Sequence, residues 1–262
     1  MSGRELKGNW LRTSQYLEKF TREKVLIDLL GTDSPIILDI GANMGQSVEQ
    51  FASMWPNSKI YCFEPLVECH ERLNACKQKF GSTHIQTFNY AVGNTTNSSG
   101  IEFYTHDINT GLSGADSSGL SGFNKMNIGS KDSINIQKLK GNASEYDSYV
   151  SNINKVRKVP CIRLDDWIRD NGLSEINLLK IDTQGYEPEV LEGAGQYLSK
   201  VQVVISELML YDLYTKSLSF MDIEKFLIPA GFTLFDISHI SKNPMNGRTD
   251  WVDVIYVNNN FV

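Results

Sequence analysis

The sequence lacks an apolar run that could cross a membrane as a helix. Its longest apolar stretches, 25–30 and 201–205, are far shorter than the roughly 20 residues that such a helix needs. It also lacks an excess of basic residues, since 25 Lys and Arg stand against 31 Asp and Glu, for a formal net charge of −6. Because phosphate neutralisation dominates nucleic-acid binding, we expect no nucleic-acid partner. Charges near the N-terminus stand where a secretory signal would be apolar, which favours a cytoplasmic protein.

Cysteine is scarce, and its spacing excludes two kinds of site. The four cysteines are Cys62, Cys69, Cys76 and Cys161, and no two of them form a C-x-x-C pair. A zinc site or a thioredoxin-like site of that type is therefore excluded. We expect reduced and mostly buried thiols.

What is present is an ordinary globular composition, with 262 residues of which 41% are hydrophobic and 21% charged. Short apolar runs that alternate with segments of helical period predict seven strands, at 36–40, 59–63, 84–89, 176–181, 201–206, 232–237 and 252–257. This alternation predicts an α/β fold with a doubly wound, mostly parallel sheet. The last two strands have no clear helix between them, which predicts an antiparallel pair.

Two segments stand apart from this alternation. Apolar positions at roughly helical spacing between residues 5 and 30 predict one or two helices, so we expect a helical extension over 1–34 and the main domain over 35–262. Residues 94–158 interrupt the main domain and include the Gly- and Ser-rich stretch 111–122. A long segment with so little to bury is typical of a functional lid or a disordered insertion.

Two motifs follow predicted strands. The turn Leu38-Asp39-Ile40-Gly41-Ala42-Asn43-Met44-Gly45-Gln46-Ser47 stands between a strand and a helix, where open α/β sheets bind ligands. The dinucleotide fingerprint G-x-G-x-x-G is absent, which argues against a nucleotide-dependent oxidoreductase. Glu64, in Phe63-Glu64-Pro65, ends the next strand and can accept hydrogen bonds from both hydroxyls of a ribose. That role is shared by NAD and S-adenosylmethionine (SAM) sites.

A third motif places charges in a central strand. Lys180 and Asp182 lie two residues apart on one face, and Glu207 ends the neighbouring strand. Buried charges are costly unless they are paired or functional, so an ion pair of Lys180 with Asp182 or Glu207 is the structural alternative to chemistry. As catalytic groups, Asp182 and Glu207 are candidate general bases that Lys180 and Glu187 would tune. The alternative is Mg²⁺ held by these carboxylates; we favour the metal-free base and assign no metal ligand.

The motifs IILDIGANMGQS, CFEP, YAVG, RLDDW and LLKIDTQGYEPEVLEGA, in this order, resemble the FkbM-type SAM-dependent methyltransferases. The resemblance runs from about Ile36 to Val257 and implies the Rossmann-like class I methyltransferase sheet, with its last strand antiparallel. It further implies O-methylation of a hydroxyl on a sugar, in a polysaccharide or glycan, or on a related natural product. The chain departs from the family at Thr183-Gln184, where Val-Glu is usual, so no role is transferred to Gln184. A non-catalytic SAM-binding domain is the remaining alternative.

The resemblance also implies a map of the cofactor SAM, whose product is S-adenosylhomocysteine (SAH). Asp39, Gly41, Asn43 and Gly45 would surround the methionine part, Glu64 the ribose, and Tyr90, Ala91 and Val92 the adenine. Asp182 would lie near the amine or the transferred methyl group, and the segment around Ser117 and Ser118 would fold over the cofactor. The whole expected set is Asp39, Gly41, Ala42, Asn43, Gly45, Gln46, Ser47, Glu64, Pro65, Tyr90, Ala91, Val92, Ser118 and Asp182.

Overall fold

The short apolar runs form strands because side chains on both faces of a covered parallel sheet must be apolar. A computed structural model describes residues 19–81, 84–107, 117–139 and 141–261. In these residues the strands are β1 (Ile36–Ile40), β2 (Lys59–Phe63), β3 (Ile85–Phe88), β4 (Ala91–Gly93), β5 (Asn97–Thr105), β6 (Lys155–Arg163), β7 (Ile176–Ile181), β8 (Val201–Met209), β9 (Phe232–Lys242) and β10 (Thr249–Asn258).

The main sheet has seven strands in the order β3-β2-β1-β7-β8-β10-β9. The first five are joined by parallel pairings, whereas β10 is antiparallel to both β8 and β9. This confirms the predicted seven-stranded, mostly parallel sheet with an antiparallel last strand. The final pair is longer than predicted, since β9 and β10 continue their antiparallel pairing to Lys242 and Thr249.

Helices cover both faces of this sheet. The helices of the described residues are α1 (Arg22–Leu30), α2 (Gln46–Met54), α3 (His70–Phe80), α4 (Ile134–Leu139), α5 (Ala143–Asn152), α6 (Leu164–Asp170), α7 (Glu187–Ala194) and α8 (Phe220–Leu227). On one face, Leu26, Phe51 and Leu73 of the first three helices share a buried core with strand residues. On the other, Trp167 and Leu191 belong to a second core. No helix in the described ranges is both long and apolar enough to span a membrane.

A second, three-stranded sheet was not predicted. Its order is β4-β6-β5, with β4 parallel and β5 antiparallel to β6. It draws on the 94–158 segment, which also contains α4 and α5. Residues 97–99 are Asn-Ser-Ser and β6 begins Lys-Val-Arg-Lys, so these strands lack the apolar run by which the main strands were predicted. The part of the expected lid at 108–116, and the expected helical extension before residue 19, lie outside the described residues.

The three-stranded sheet meets helix α7 at a close backbone contact, which generates a stability prediction. A Cβ atom on Gly193, inside α7, would lie 1.9 Å from the carbonyl oxygen of Gly93 in β4. Gly193→Ala should therefore destabilise the fold by at least about 1–3 kcal/mol through overpacking, although Ala favours an unobstructed helix. Urea unfolding measures this loss. The control Gly141→Ala, at an exposed turn with no atom within 4 Å, should change stability by less than about 0.5 kcal/mol. Equal midpoints for wild type and Gly193→Ala would contradict the contact.

Candidate active site

The carboxyl ends of β1 and β7 meet at a turn that depends on glycine. Gly41 has a φ of 79°, and a Cβ atom there would lie 1.9 Å from the carbonyl oxygen of Asp182. The amide of Asp182 in turn donates to the carbonyl of Ile40 at 3.0 Å. Gly41 thus lets the two backbones approach each other, which places Asp182 beside the turn after β1.

A buried ion cluster lies directly beneath this turn. The Nζ of Lys180 lies 3.2 Å from Oδ1 of Asp39 and 3.3 Å from Oδ2 of Asp182, and donates to the carbonyl of Gly41 at 3.1 Å. Burial would lower the pKa of Lys180, but the ion pairs with Asp39 and Asp182 outweigh it and raise that pKa. Burial raises the pKa of Asp39, and the adjacent ammonium group opposes the rise. The structural alternative of a Lys180–Asp182 ion pair is therefore present, together with a second pair to Asp39.

Glu64 at the end of β2 faces the same turn. Its Oε2 accepts the backbone N–H of Asn43 at 2.9 Å, and its Oε1 accepts that of Leu66 at 2.8 Å. Burial raises the pKa of Glu64 to about 7, against the lowering effect of these two hydrogen bonds. The carboxyl group is therefore fixed in orientation and poorly solvated.

A first cavity opens above Glu64. Eight residues of the expected cofactor set line it: Gly41, Asn43, Glu64, Pro65, Ala91, Val92, Ser118 and Asp182. The Ser118 hydroxyl donates to Oδ1 of Asn43 at 2.7 Å, which ties the described part of the insertion to the turn after β1.

The other expected cofactor residues lie elsewhere. Asp39 is buried below the cavity with Lys180, and Tyr90 packs against Phe63 and Phe88. Ala42 is buried in the core and Gly45 lies against α3, where its Cβ would be 3.1 Å from the sulfur of Cys76. Residues Gln46 and Ser47, at the start of α2, line a different cavity.

This second cavity lies on the side of the sheet covered by α1 and α2. The strand ends contribute Asp182, Glu207, Asp253 and Trp251, and the remaining lining residues are Arg22, Gln46, Ser47, Gln50, Phe51, Lys180, Ile181 and Ile205. Its chemistry is mixed, because it offers carboxylates, amides, one guanidinium group and an indole ring. Asp182 is the residue that the two linings share.

Glu207 lines the second cavity together with Asp182. Its pKa is raised well above the ordinary value, first by burial and then by the nearby charges of Asp182 and Asp253. Asp253 pairs in register with Glu207 and forms a 2.8 Å ion pair with Arg22. The environment therefore disfavours a second negative charge at Glu207 next to Asp182.

Glu187, expected to tune the bases, lines neither cavity. It is 1% exposed, and its Oε1 accepts hydrogen bonds from the N–H groups of Thr183 and Gly185 at 2.8 and 3.2 Å. The Thr183 hydroxyl donates to the same oxygen at 3.1 Å. Glu187 thus fixes the backbone of the loop that follows Asp182, through Thr183 and Gly185.

Several cavity residues were missed by the sequence reasoning. Phe103, Gly119, Ser121 and Phe123 line the first cavity from the insertion, and Ile40, Phe63, Thr183 and Gln184 line it from the sheet. No periodic pattern marks a loop residue, so only their closeness in sequence to Glu64, Ser118 and Asp182 could have indicated them. The same is true of Tyr214, whose hydroxyl lies 2.8 Å from Oε1 of Gln184.

Comparison with known proteins gives a consistent result. A family model described as the methyltransferase FkbM domain matches residues 39–234. The chain is 29% identical over 195 residues to the 2-O-methyltransferase NoeI of Sinorhizobium fredii, which covers 72% of this chain and 69% of NoeI. It is 27% identical over 221 residues to the AMB antimetabolite synthetase AmbE of Pseudomonas aeruginosa, covering 79% of this chain.

Among solved structures, methyltransferase FkbM from Methylobacillus flagellatus KT aligns with a TM-score of 0.49 and 13% identity over 86% of this chain. The chain spans 10% of AmbE and 44% of the Methylobacillus protein.

The burial of Glu187 generates a prediction about pH. Burial raises the pKa of this carboxyl group to about 7, from an ordinary value of 4.5. The folded protein therefore holds a proton that the unfolded chain releases, so this group's contribution to stability falls as pH rises from about 4.5 to about 7. The unfolding free energy of wild type minus that of Glu187→Gln should fall over this window by up to about 3 kcal/mol. Urea titrations at several pH values measure it, and the comparison cancels the similar titration of Glu64. A difference that rises with pH would contradict the assignment.

Proposed function

This chain belongs to the FkbM methyltransferase family, and from that premise we propose that it methylates a hydroxyl of a sugar, in a glycan or polysaccharide, or of a related natural product. It is a SAM-dependent methyltransferase, and family membership sets aside the oxidoreductase alternative. The observation that carries the finer proposal is that Asp182 lines both a cavity suited to the cofactor and a cavity suited to a polyhydroxylated acceptor. The similarity to NoeI, a 2-O-methyltransferase, supports an oxygen acceptor.

The first cavity fits the adenosyl part of the cofactor. Apolar walls from Phe63, Val92 and Phe123 suit an adenine ring, and the fixed carboxyl group of Glu64 suits the hydroxyls of a ribose. Asn43 and Asp182 supply polar groups at the end nearest the ion cluster. When bound, SAM supplies a methyl group on a positively charged sulfur, which departs as a neutral thioether.

The second cavity fits a sugar. The Trp251 ring, which stacks on His239 with centroids 4.6 Å apart, offers an apolar surface, while the amides of Gln46 and Gln50 can bind hydroxyls. The carboxyl groups of Glu207 and Asp253 add acceptors. Because this lining is rich in carboxyl groups, it favours an uncharged acceptor over a phosphorylated one.

Asp182 is the base in this proposal. A sugar hydroxyl is a weak nucleophile at neutral pH and needs a positioned group to take its proton. The Nζ of Lys180 lies 3.3 Å from Oδ2 of Asp182, so it restrains the carboxylate and compensates its negative charge. We assign the base to Asp182 rather than Glu207, because Lys180 compensates the charge of Asp182, whereas burial and nearby acids raise the pKa of Glu207.

Two variants separate cofactor binding from chemistry. Glu64→Ala should weaken SAH binding by about 10–100-fold, because it removes a buried hydrogen-bonding carboxyl group. Asp182→Asn should keep SAH affinity within about twofold but slow methyl transfer by roughly 100-fold or more. Calorimetry gives the affinities, and transfer of label from methyl-labelled SAM to a panel of methyl glycosides and oligosaccharides gives the rates.

The controls decide the acceptor class as well. Matched sugar phosphates should accept label poorly, and RNA should accept none. Near-normal turnover of Asp182→Asn would remove the proposed base, and label found on RNA but on no sugar would overturn the acceptor.

A further inference from the structure

We propose that the side-chain amide of Gln184 occupies the position between Asp182 and Glu207 that a divalent cation would need, so that this site works without a cation there. The inference rests on the proposed methyl transfer, since it concerns the same two carboxyl groups. Gln184 is assigned as a positioning residue: it orients Asp182 and Glu207 and takes no part in the bond-making step.

Both hydrogens of the Gln184 amide are used by the two acids. Its Nε2 lies 2.8 Å from Oδ1 of Asp182 and 3.0 Å from Oε1 of Glu207. The partial positive charge of the amide N–H groups is thereby placed between two acidic side chains. With Lys180 on Oδ2, both oxygens of Asp182 then have a fixed donor.

The partners of the Gln184 amide favour the orientation in which its N–H groups face the two acids and its oxygen faces Tyr214. The Tyr214 hydroxyl lies 2.8 Å from Oε1 of Gln184 and 2.9 Å from the carbonyl of Leu120. Reversing the amide would turn its oxygen toward the oxygens of Asp182 and Glu207, which is unfavourable between acceptors. The fully buried phenol has one hydrogen for these two acceptors, and with that hydrogen on Oε1 it supports the orientation that points the N–H groups at the acids.

The backbone holds Gln184 in place as well. Its φ is 56°, in the left-handed region that is uncommon for residues other than glycine and costs roughly 1 kcal/mol. Glu187 fixes the N–H groups on both sides of it, and the Asn124 amide donates to its carbonyl at 3.4 Å. Such a conformation persists only where the surroundings over-determine it, which is typical of functional loops.

The residues present do not fit a cation at this position. Mg²⁺ requires oxygen ligands, and an amide N–H cannot serve as one. Among the described residues, no three His, Cys, Asp or Glu side chains are grouped so that they could hold a metal ion. A glutamate at position 184 would supply the missing third carboxylate beside Asp182 and Glu207, so a single residue decides which positive group lies between them.

Titration with Mn²⁺, followed by electron paramagnetic resonance, tests this directly. We expect no saturable site in wild type below about 1 mM, and a gain in affinity of roughly tenfold or more in Gln184→Glu. The double variant Gln184→Glu/Asp182→Asn should lose that gain, which a merely structural effect of position 184 would not produce.

Two outcomes would overturn the inference. One is a stoichiometric Mn²⁺ site in wild type that Asp182→Asn removes; it is decisive even if Gln184→Glu fails to fold. The other is a folded Gln184→Glu protein, with wild-type SAH affinity by calorimetry, that gains no Mn²⁺ affinity. If wild type does not bind SAH at all, the proposed function is refuted instead. Failure of the proposed function is therefore distinguishable from failure of the inference about Gln184. In the same samples, label transfer by wild type should be unchanged by EDTA.

Discussion

The buried ammonium group of Lys180 is the interaction on which the site depends. It lies in β7 opposite Asp39 of β1, in register, and binds Asp39, Asp182 and the carbonyl of Gly41. A charge removed from water costs several kcal/mol unless it is paired and hydrogen-bonded, so each partner requires the others. The ammonium group of Lys180 thus links the turn at Gly41, which lines the first cavity, to Asp182, which lines both cavities.

From this cation the order of the site extends outward through Asp182. Lys180 fixes one carboxylate oxygen and Gln184 the other, while Glu187 anchors the loop from behind. Asp182 lines both cavities, so in the proposed function its carboxylate can take the proton of a hydroxyl that is bound beside it. Rigidity of this kind reduces the reorganisation that accompanies reaction.

Most of the main sheet was predictable from the sequence, because strands buried on both faces require apolar runs. Residues at strand ends, such as Glu64 and Asp182, were predictable because parallel strands end at one edge of a sheet. The second sheet was not, because β4 has only three residues, and because β5 and β6 each begin with polar residues that are largely exposed. The contacts of Gln184 and Glu187 were not predictable either. They depend on the left-handed backbone conformation of Gln184, which no pattern in the sequence marks.

The most direct test of the central role of Lys180 is a double-mutant cycle with Asp39, read out as the free energy of unfolding. Lys180→Met alone should cost about 3–5 kcal/mol, because it leaves buried carboxylates unpaired. Asp39→Asn introduced into Lys180→Met should recover part of that loss, so that the coupling energy exceeds about 1 kcal/mol. Additive effects of the two substitutions, with no coupling, would contradict the account.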